Sequence, residues 1–281
     1  MTPSYTFDID IFKSRIENTG KALPGIPLVY SIKANPFLIP YIPEEIAHIE
    51  VCSPGELAIC KELRVSPEKI IYSGVMKEAE DVKEAVSYGA GILTAESRLH
   101  LKLIKEAAKK AGTNVKVLLR LSSGNQFGMS LEDLKAAINE ASCCSVDIIG
   151  LHYYSGTAKS LKGVEKDIAR LRDALDILRE VSGFPCKMLE YGPGLAAESF
   201  APTDAECEQR DMELLSSVSP LLNDLAGQMN LSLEMGRFLA APCGIYETTV
   251  KDIKSTDEVN YVIVDGGTHH LKYYGDRKSV V

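Results

Sequence analysis

The chain has 281 residues, 45% of them hydrophobic and 25% charged. Those proportions are globular and exclude a disordered or collagen-like chain. With 31 basic and 39 acidic residues the net charge is −8, which argues against nucleic acid or an anionic membrane as a main partner.

Short apolar runs alternate with longer amphipathic segments. The first run, 27–32, ends in Lys33; 49–52, 69–72 and 91–93 follow. A helical pattern over 96–111 places Leu99, Leu103, Ala107 and Ala111 at spacing four. The run 115–119 ends in Arg120, and 146–151 ends in His152. Over 161–181 a helix-period stripe comprises Leu161, Val164, Ile168, Leu171, Leu175 and Leu178. The run 186–189 leads into Glu190-Tyr191-Gly192, and 231–233 ends in Glu234. Eight strand candidates alternating with helices predict parallel strands, right-handed crossovers and a (β/α)8 TIM barrel, placed over 8–240. A doubly wound open sheet is the competing topology. After Gly236 the texture changes: 245–253 and 260–265 are β-rich with no long helix between them. This reads as the start of a second, all-β domain over 241–275, with an unpaired sheet edge and too little core to stand alone. The last six residues, 276–281, read like a translated sequencing-adapter fragment, so they are expected to be a non-native tail on a C-terminally truncated chain.

No apolar run reaches the roughly 18 residues of a membrane span. The start, Met1-Thr2-Pro3-Ser4-Tyr5, lacks a basic region followed by an apolar stretch, so no secretory signal is expected and the setting is read as cytoplasmic. The cysteines are Cys52, Cys60, Cys143, Cys144, Cys186, Cys207 and Cys243, with no Cys-x-x-Cys pair. They are expected to be reduced thiols rather than a zinc site. His269 and His270 invite a metal reading, but no third ligand is placed beside them, so no metal is expected.

In a barrel the active site lies at the C-terminal ends of the strands. The residues there are Lys33, Glu50 with Ser53, Ser73-Gly74, Thr94 with Glu96, Arg120, His152 with Tyr154, Gly192-Pro193-Gly194, and Glu234 with Arg237. Their coincidence points to one convergent site. A lysine at the end of a buried strand is expected to have a lowered pKa and to act as an amine nucleophile; alone, it is equally a lysine turning outward. Gly192-Pro193-Gly194 could bring backbone N–H groups to an anion, or be an ordinary tight turn. Glu234-Met235-Gly236-Arg237 offers a carboxylate for a ring nitrogen and a guanidinium for phosphate, or a surface ion pair of little weight.

In order, the segments 30–36, 50–57, 126–128, 150–157, 190–194, 234–237 and 264–267 resemble the barrel-type, fold-type III pyridoxal-phosphate decarboxylases. This is the diaminopimelate, ornithine and arginine decarboxylase group, built on an alanine racemase-like barrel. The resemblance implies pyridoxal 5'-phosphate (PLP) held as a Schiff base on Lys33, with Glu234 paired to the pyridine nitrogen. It implies Gly192, Gly194, Arg237 and Thr157 at the phosphate, and Arg120, Glu56 and His152 as supporting residues. Tyr154 stands where the family usually has a second histidine stacked on the ring, and Gly192-Pro193-Gly194 replaces Gly-Gly-Gly. These variants resemble the subgroup acting on carrier-linked or unusual amino acids. The implied activity is decarboxylation of an amino acid by a homodimer when full length. The 281-residue chain is expected to bind PLP weakly and to turn over poorly. An amino-acid racemase on the same barrel, which would carry arginine in place of Glu234, a non-catalytic PLP-holding remnant, and a phosphate-binding barrel without PLP are the alternatives.

Overall fold

The computed structural model describes residues 1–141, 145–182, 184–199 and 201–270. Cys143, Cys144, the tail 276–281 and the last residues of the expected second domain lie outside the described residues. In chain order the elements are β1 (Ser4–Phe7), α1 (Ile9–Ala22), β2 (Leu28–Ser31), β3 (Ile46–Val51), α2 (Pro54–Glu62), β4 (Ile70–Tyr72), α3 (Ala79–Tyr88), β5 (Ile92–Ala95), α4 (Arg98–Ala111), β6 (Val115–Arg120), α5 (Leu131–Ala141), β7 (Val146–Tyr154), α6 (Leu161–Ser182), β8 (Met188–Gly192), α7 (Asp204–Gln228), β9 (Leu231–Met235), α8 (Arg237–Ala240), β10 (Gly244–Glu247), β11 (Val250–Ser255) and β12 (Asn260–Val264). They divide into two compact units, 12–242 and 1–11 with the stretch from Cys243 onward.

In the larger unit β2 to β9 close into an eight-stranded parallel barrel, β9 pairing back onto β2. This is the expected (β/α)8 architecture; the open sheet is excluded by that closing pair. The strands read as near-continuous apolar runs because the outer helices cover one face and the barrel core the other. Helix starts are set locally. Ser53 Oγ accepts Glu56 N–H at 3.2 Å, and Ser97 Oγ accepts His100 N–H at 3.2 Å, each satisfying an orphan donor of the first turn. Ser97 thus starts α4 at Arg98 rather than at the expected residue 96.

Val29, Ile71, Ile92, Leu118 and Ile149 form a buried apolar cluster, with Met188 packed against it. The two-residue period of a strand puts Ser31, Ser73, Thr94 and Arg120 on the same face as Val29, Ile71, Ile92 and Leu118, one layer nearer the C-terminal end. An apolar plug below and a polar layer above follow from that alternation. β7 reaches this layer through a register shift opposite Val117 and Leu118, at Gly150. A Cβ on Gly150 would fall 1.7 Å from the carbonyl oxygen of Met188 in β8. Gly150→Ala is therefore expected to lower stability by about 1–3 kcal/mol, as overpacking does, measured by urea unfolding. An unchanged midpoint would show that β7 and β8 do not approach as closely as described.

In the smaller unit β1 pairs antiparallel with β10, from Ser4↔Glu247 to Phe7↔Gly244, and β11 pairs with β12. The expected single strand over 245–253 is divided, because Asp265 captures the turn: Thr249 N–H and Thr248 Oγ1 each donate to Asp265 Oδ1 at 2.9 Å. Among the described residues no helix is long and apolar enough to cross a membrane.

Candidate active site

β2 ends at Ser31, and a tight 3-10 turn over Ile32–Ala34 carries Lys33 into the barrel mouth. Parallel register brings its partners alongside: Ser31 pairs with Glu50 on β3, and Val29 with Glu234 on β9. Lys33 Nζ lies 3.1 Å from Glu50 Oε2 and 3.1 Å from Glu234 Oε1. His152 Nε2 lies 3.1 Å from Glu234 Oε2. Ser31 Oγ donates to Glu50, and Cys52 Sγ donates to Glu50 Oε1 at 3.2 Å.

These neighbours overturn one expectation. Burial does oppose the Lys33 charge, but Glu50 and Glu234 outweigh it and hold the ammonium pKa above the ordinary lysine range. Lys33 is a paired cation, not the lowered-pKa amine that a strand-end lysine suggests. The two acids divide their roles. Burial and the neighbouring Glu234 raise the Glu50 pKa, while Lys33 and the Ser31 hydrogen bond oppose the rise. Burial works against Glu234 too, but Lys33 and His152 prevail and hold it below the usual carboxylate range, so it stays anionic. Glu190, on β8, is fully buried, and burial and then Glu234 and Glu50 raise its pKa well above the usual carboxylate range.

A cavity of about 250 Å³ is lined by Lys33, Tyr154, Thr157, Gly194, Glu234 and Arg237, among others. Lys33 Nζ stands 5.5 Å from the Tyr154 ring centroid. At Gly192 a Cβ would come 2.6 Å from Tyr154 Cδ2, so glycine is what leaves the ring its place. Gly194 has φ +55, and a Cβ there would fall 1.9 Å from Gly156 O. Two loops thus meet backbone to backbone. Among the described residues Arg237 has no carboxylate within ion-pair distance, which leaves its guanidinium for an anionic ligand.

A second hollow, about 300 Å³, shares Lys33, Tyr154 and Glu234 and adds Glu50, Cys52, Arg120, Phe127 and His152 among its walls. Arg120 pairs with Glu96 and lies 5.3 Å from the Phe127 ring centroid. Glu56 lines neither hollow; its Oε2 accepts Cys52 N–H at 2.7 Å and buttresses the β3–α2 turn. Beside Glu96, burial and then Lys77 push the His100 pKa down to about 4, and His100 Nδ1 accepts Glu96 N–H at 3.4 Å. An unfolded histidine titrates near 6.5, so between those values the unfolded chain binds a proton that the folded one does not. Stability is therefore expected to fall as pH drops from about 6.5 to about 4. Melting curves over that window should be flatter for His100→Gln; identical slopes would contradict the assignment.

Of the residues expected at the site, Lys33, Tyr154, Thr157, Gly194, Glu234 and Arg237 share one cavity, His152 touches it through Glu234, and Arg120 faces the second hollow. Glu50 and Cys52 received no role from the resemblance, although Glu50 stands among the strand-end residues. Glu50, His152 and Glu234 also present ligand atoms within 4.8 Å of one another, a trio that could hold a metal ion. The Lys33 ammonium, however, already engages both of its carboxylates.

Residues 9–241 match the pyridoxal-binding domain of the pyridoxal-dependent decarboxylases, and the chain belongs to that family. Diaminopimelate decarboxylase of Aquifex aeolicus is 28% identical over 296 residues, covering 96% of this chain and 67% of the relative. An L-glutamyl-BtrI acyl-carrier-protein decarboxylase of Niallia circulans is 28% identical over 291 residues, covering 96% and 68%. A crystal structure from Aquifex aeolicus superposes with a TM-score of 0.81 at 27% identity, over 95% of this chain and 66% of that one. A structure described as SrLDC in complex with PLP and cadaverine shares the fold, with a TM-score of 0.79 at 21% identity, over 94% and 68%. The chain thus spans about two thirds of the length of these proteins. The relatives named as diaminopimelate decarboxylases are carboxy-lyases.

The residues fit the family's cofactor. PLP presents an aldehyde, a basic ring nitrogen and a phosphate. The cavity presents an amine, a buried carboxylate, a guanidinium without a carboxylate partner among the described residues, and two closely apposed loops, with an aromatic ring beside the amine.

Proposed function

We propose that the chain acts as a PLP-dependent amino-acid decarboxylase, with Lys33 holding the aldehyde, Glu234 the ring nitrogen, and Gly192, Gly194, Thr157 and Arg237 the phosphate. The observation that carries the reading is Glu234, buried and 3.1 Å from both Lys33 Nζ and His152 Nε2. When bound, PLP supplies an electron sink for the charge left at Cα as CO2 departs, and the sink is strongest with its ring nitrogen protonated. A carboxylate beside that nitrogen favours the protonated form by opposite-charge stabilisation. His152 keeps the Glu234 carboxylate oriented through its 3.1 Å contact. Tyr154, beside the amine, would stack on the ring, and burial raises its phenol pKa so that it stays protonated. Glu50, whose pKa is raised by burial and by Glu234, lies 3.1 Å from Lys33 Nζ and is placed to exchange a proton with the amine.

The substrate class is an amino acid entering the hollow between Cys52, Arg120 and Phe127. Diaminopimelate and carrier-linked glutamate are the first to test, since relatives are named for them. The reading includes the homodimer that the resemblance implies and the cytoplasmic setting read from the sequence start and the cysteines; sedimentation with and without PLP tests the former. The deciding assay supplies PLP and a panel of acidic, basic and diamino acids. CO2 release from one of them supports the proposal. Loss of substrate chirality without CO2 would replace it with a racemase, and a PLP chromophore with no product would replace it with a non-catalytic holder.

A further inference from the structure

The helix α6 carries a buried acid beneath the two loops that line the cavity. Asp167 is 6% exposed. Its carboxylate accepts Ser155 Oγ at 2.7 Å, Tyr191 OH at 2.9 Å and Tyr153 OH at 3.5 Å, and it pairs with Lys159 Nζ. Lys159 Nζ also donates to Ser155 Oγ. These donors come from β7, from the β7–α6 loop and from β8. A buried carboxylate is tolerated only when its lone pairs are met, and here one side chain gathers donors from β7, β8 and the loop between β7 and α6.

What those segments build is the loop pair at the anion end. Lys159 N–H donates to Gly194 O at 2.9 Å, and Ala196 N–H donates to Lys159 O at 3.1 Å, which ties the β7–α6 loop to the β8–α7 loop. Between Ser155 and Lys159, Ala158 sits at φ +56, a left-handed conformation that costs a non-glycine residue about 1 kcal/mol. Such strain persists where the surroundings over-determine it. Both ends of the strained stretch are pinned to Asp167, through Ser155 and through Lys159. Thr157, in its middle, and Gly194, across the tie, line the cavity with Arg237.

We propose that Asp167 is a positioning residue for the phosphate grip: it touches no ligand, but it sets the shape of 155–159 and its contact with 192–196. With Lys159 paired to Asp167, Arg237 is the cavity cation that has no carboxylate within ion-pair distance among the described residues. This inference rests on the proposed function only for the identity of the phosphate; the loop claim stands by itself.

The test titrates the protein with PLP and with pyridoxal, which carries the same aldehyde and ring but no phosphate, following the chromophore. For Asp167→Asn, and independently for Tyr191→Phe, PLP affinity is expected to fall roughly tenfold or more, as when an outer support of a binding site is removed. Pyridoxal affinity should stay within about twofold of wild type. An equal loss for both aldehydes would mean a general structural role and overturn the proposal, as would no loss for either. If wild type gives no chromophore with PLP, the reading of Lys33 fails, and calorimetric titration with inorganic phosphate decides the loop claim. Weaker phosphate binding by Asp167→Asn supports it; equal binding by wild type and variant, or none by either, overturns it.

Discussion

Lys33→Ala is expected to abolish retention of PLP and to lower decarboxylation by at least roughly a thousandfold, as loss of a covalent catalytic group does. Among the described residues of the cavity the Lys33 amine is the group able to bond the cofactor aldehyde, with its partners already in place, 3.1 Å from each of two acids. The fold should survive. Lys33 is 44% exposed, Glu234 keeps His152 at 3.1 Å, and Glu50 keeps its hydrogen bonds from Ser31 and Cys52. Absorbance of gel-filtered protein and a melting curve on the same sample separate the two effects. A variant that kept its chromophore, or one that lost both chromophore and cooperative melting, would not fit this account.

Glu234→Gln is expected to slow decarboxylation about a hundredfold or more while PLP stays attached, the size of effect seen when a preorganised charge is removed from a buried site. Each pKa unit lost at the ring nitrogen removes about 1.4 kcal/mol of preference for its protonated form. The same charge acts on the amine. Glu234 is one of the causes that raise Lys33, so its neutralisation lets the amine lose a proton more readily. The pH at which PLP attachment is half complete should therefore move down in Glu234→Gln while turnover falls. Spectrophotometric titration and CO2 release measure the two separately. Unchanged turnover would remove Glu234 from the chemistry.

The barrel is legible in the sequence because parallel strands are buried on both faces and write themselves as apolar runs. Each run ends where the polar layer begins, so Lys33, Arg120, His152 and Glu234 can be named from strand ends alone. Two features resist that reading. The charge state of Lys33 depends on Glu50 and Glu234, which lie 17 and 201 residues away and meet only through register. The isolated lysine suggests a lowered pKa; the assembled trio raises it. The pairing of β1 with β10 is invisible for the same reason, since a four-residue strand at the start carries no signal of a partner some 240 residues on. Asp167 is a third case: within its helix it reads as a solvated acid, and its donors come from a loop and two strands.

Borohydride reduction of the protein with PLP, followed by peptide mapping, tests the central claim most directly. The account predicts a pyridoxyl adduct on Lys33 and its absence in Lys33→Ala. An adduct on Lys77, Lys159 or another lysine, or none at all, would contradict it.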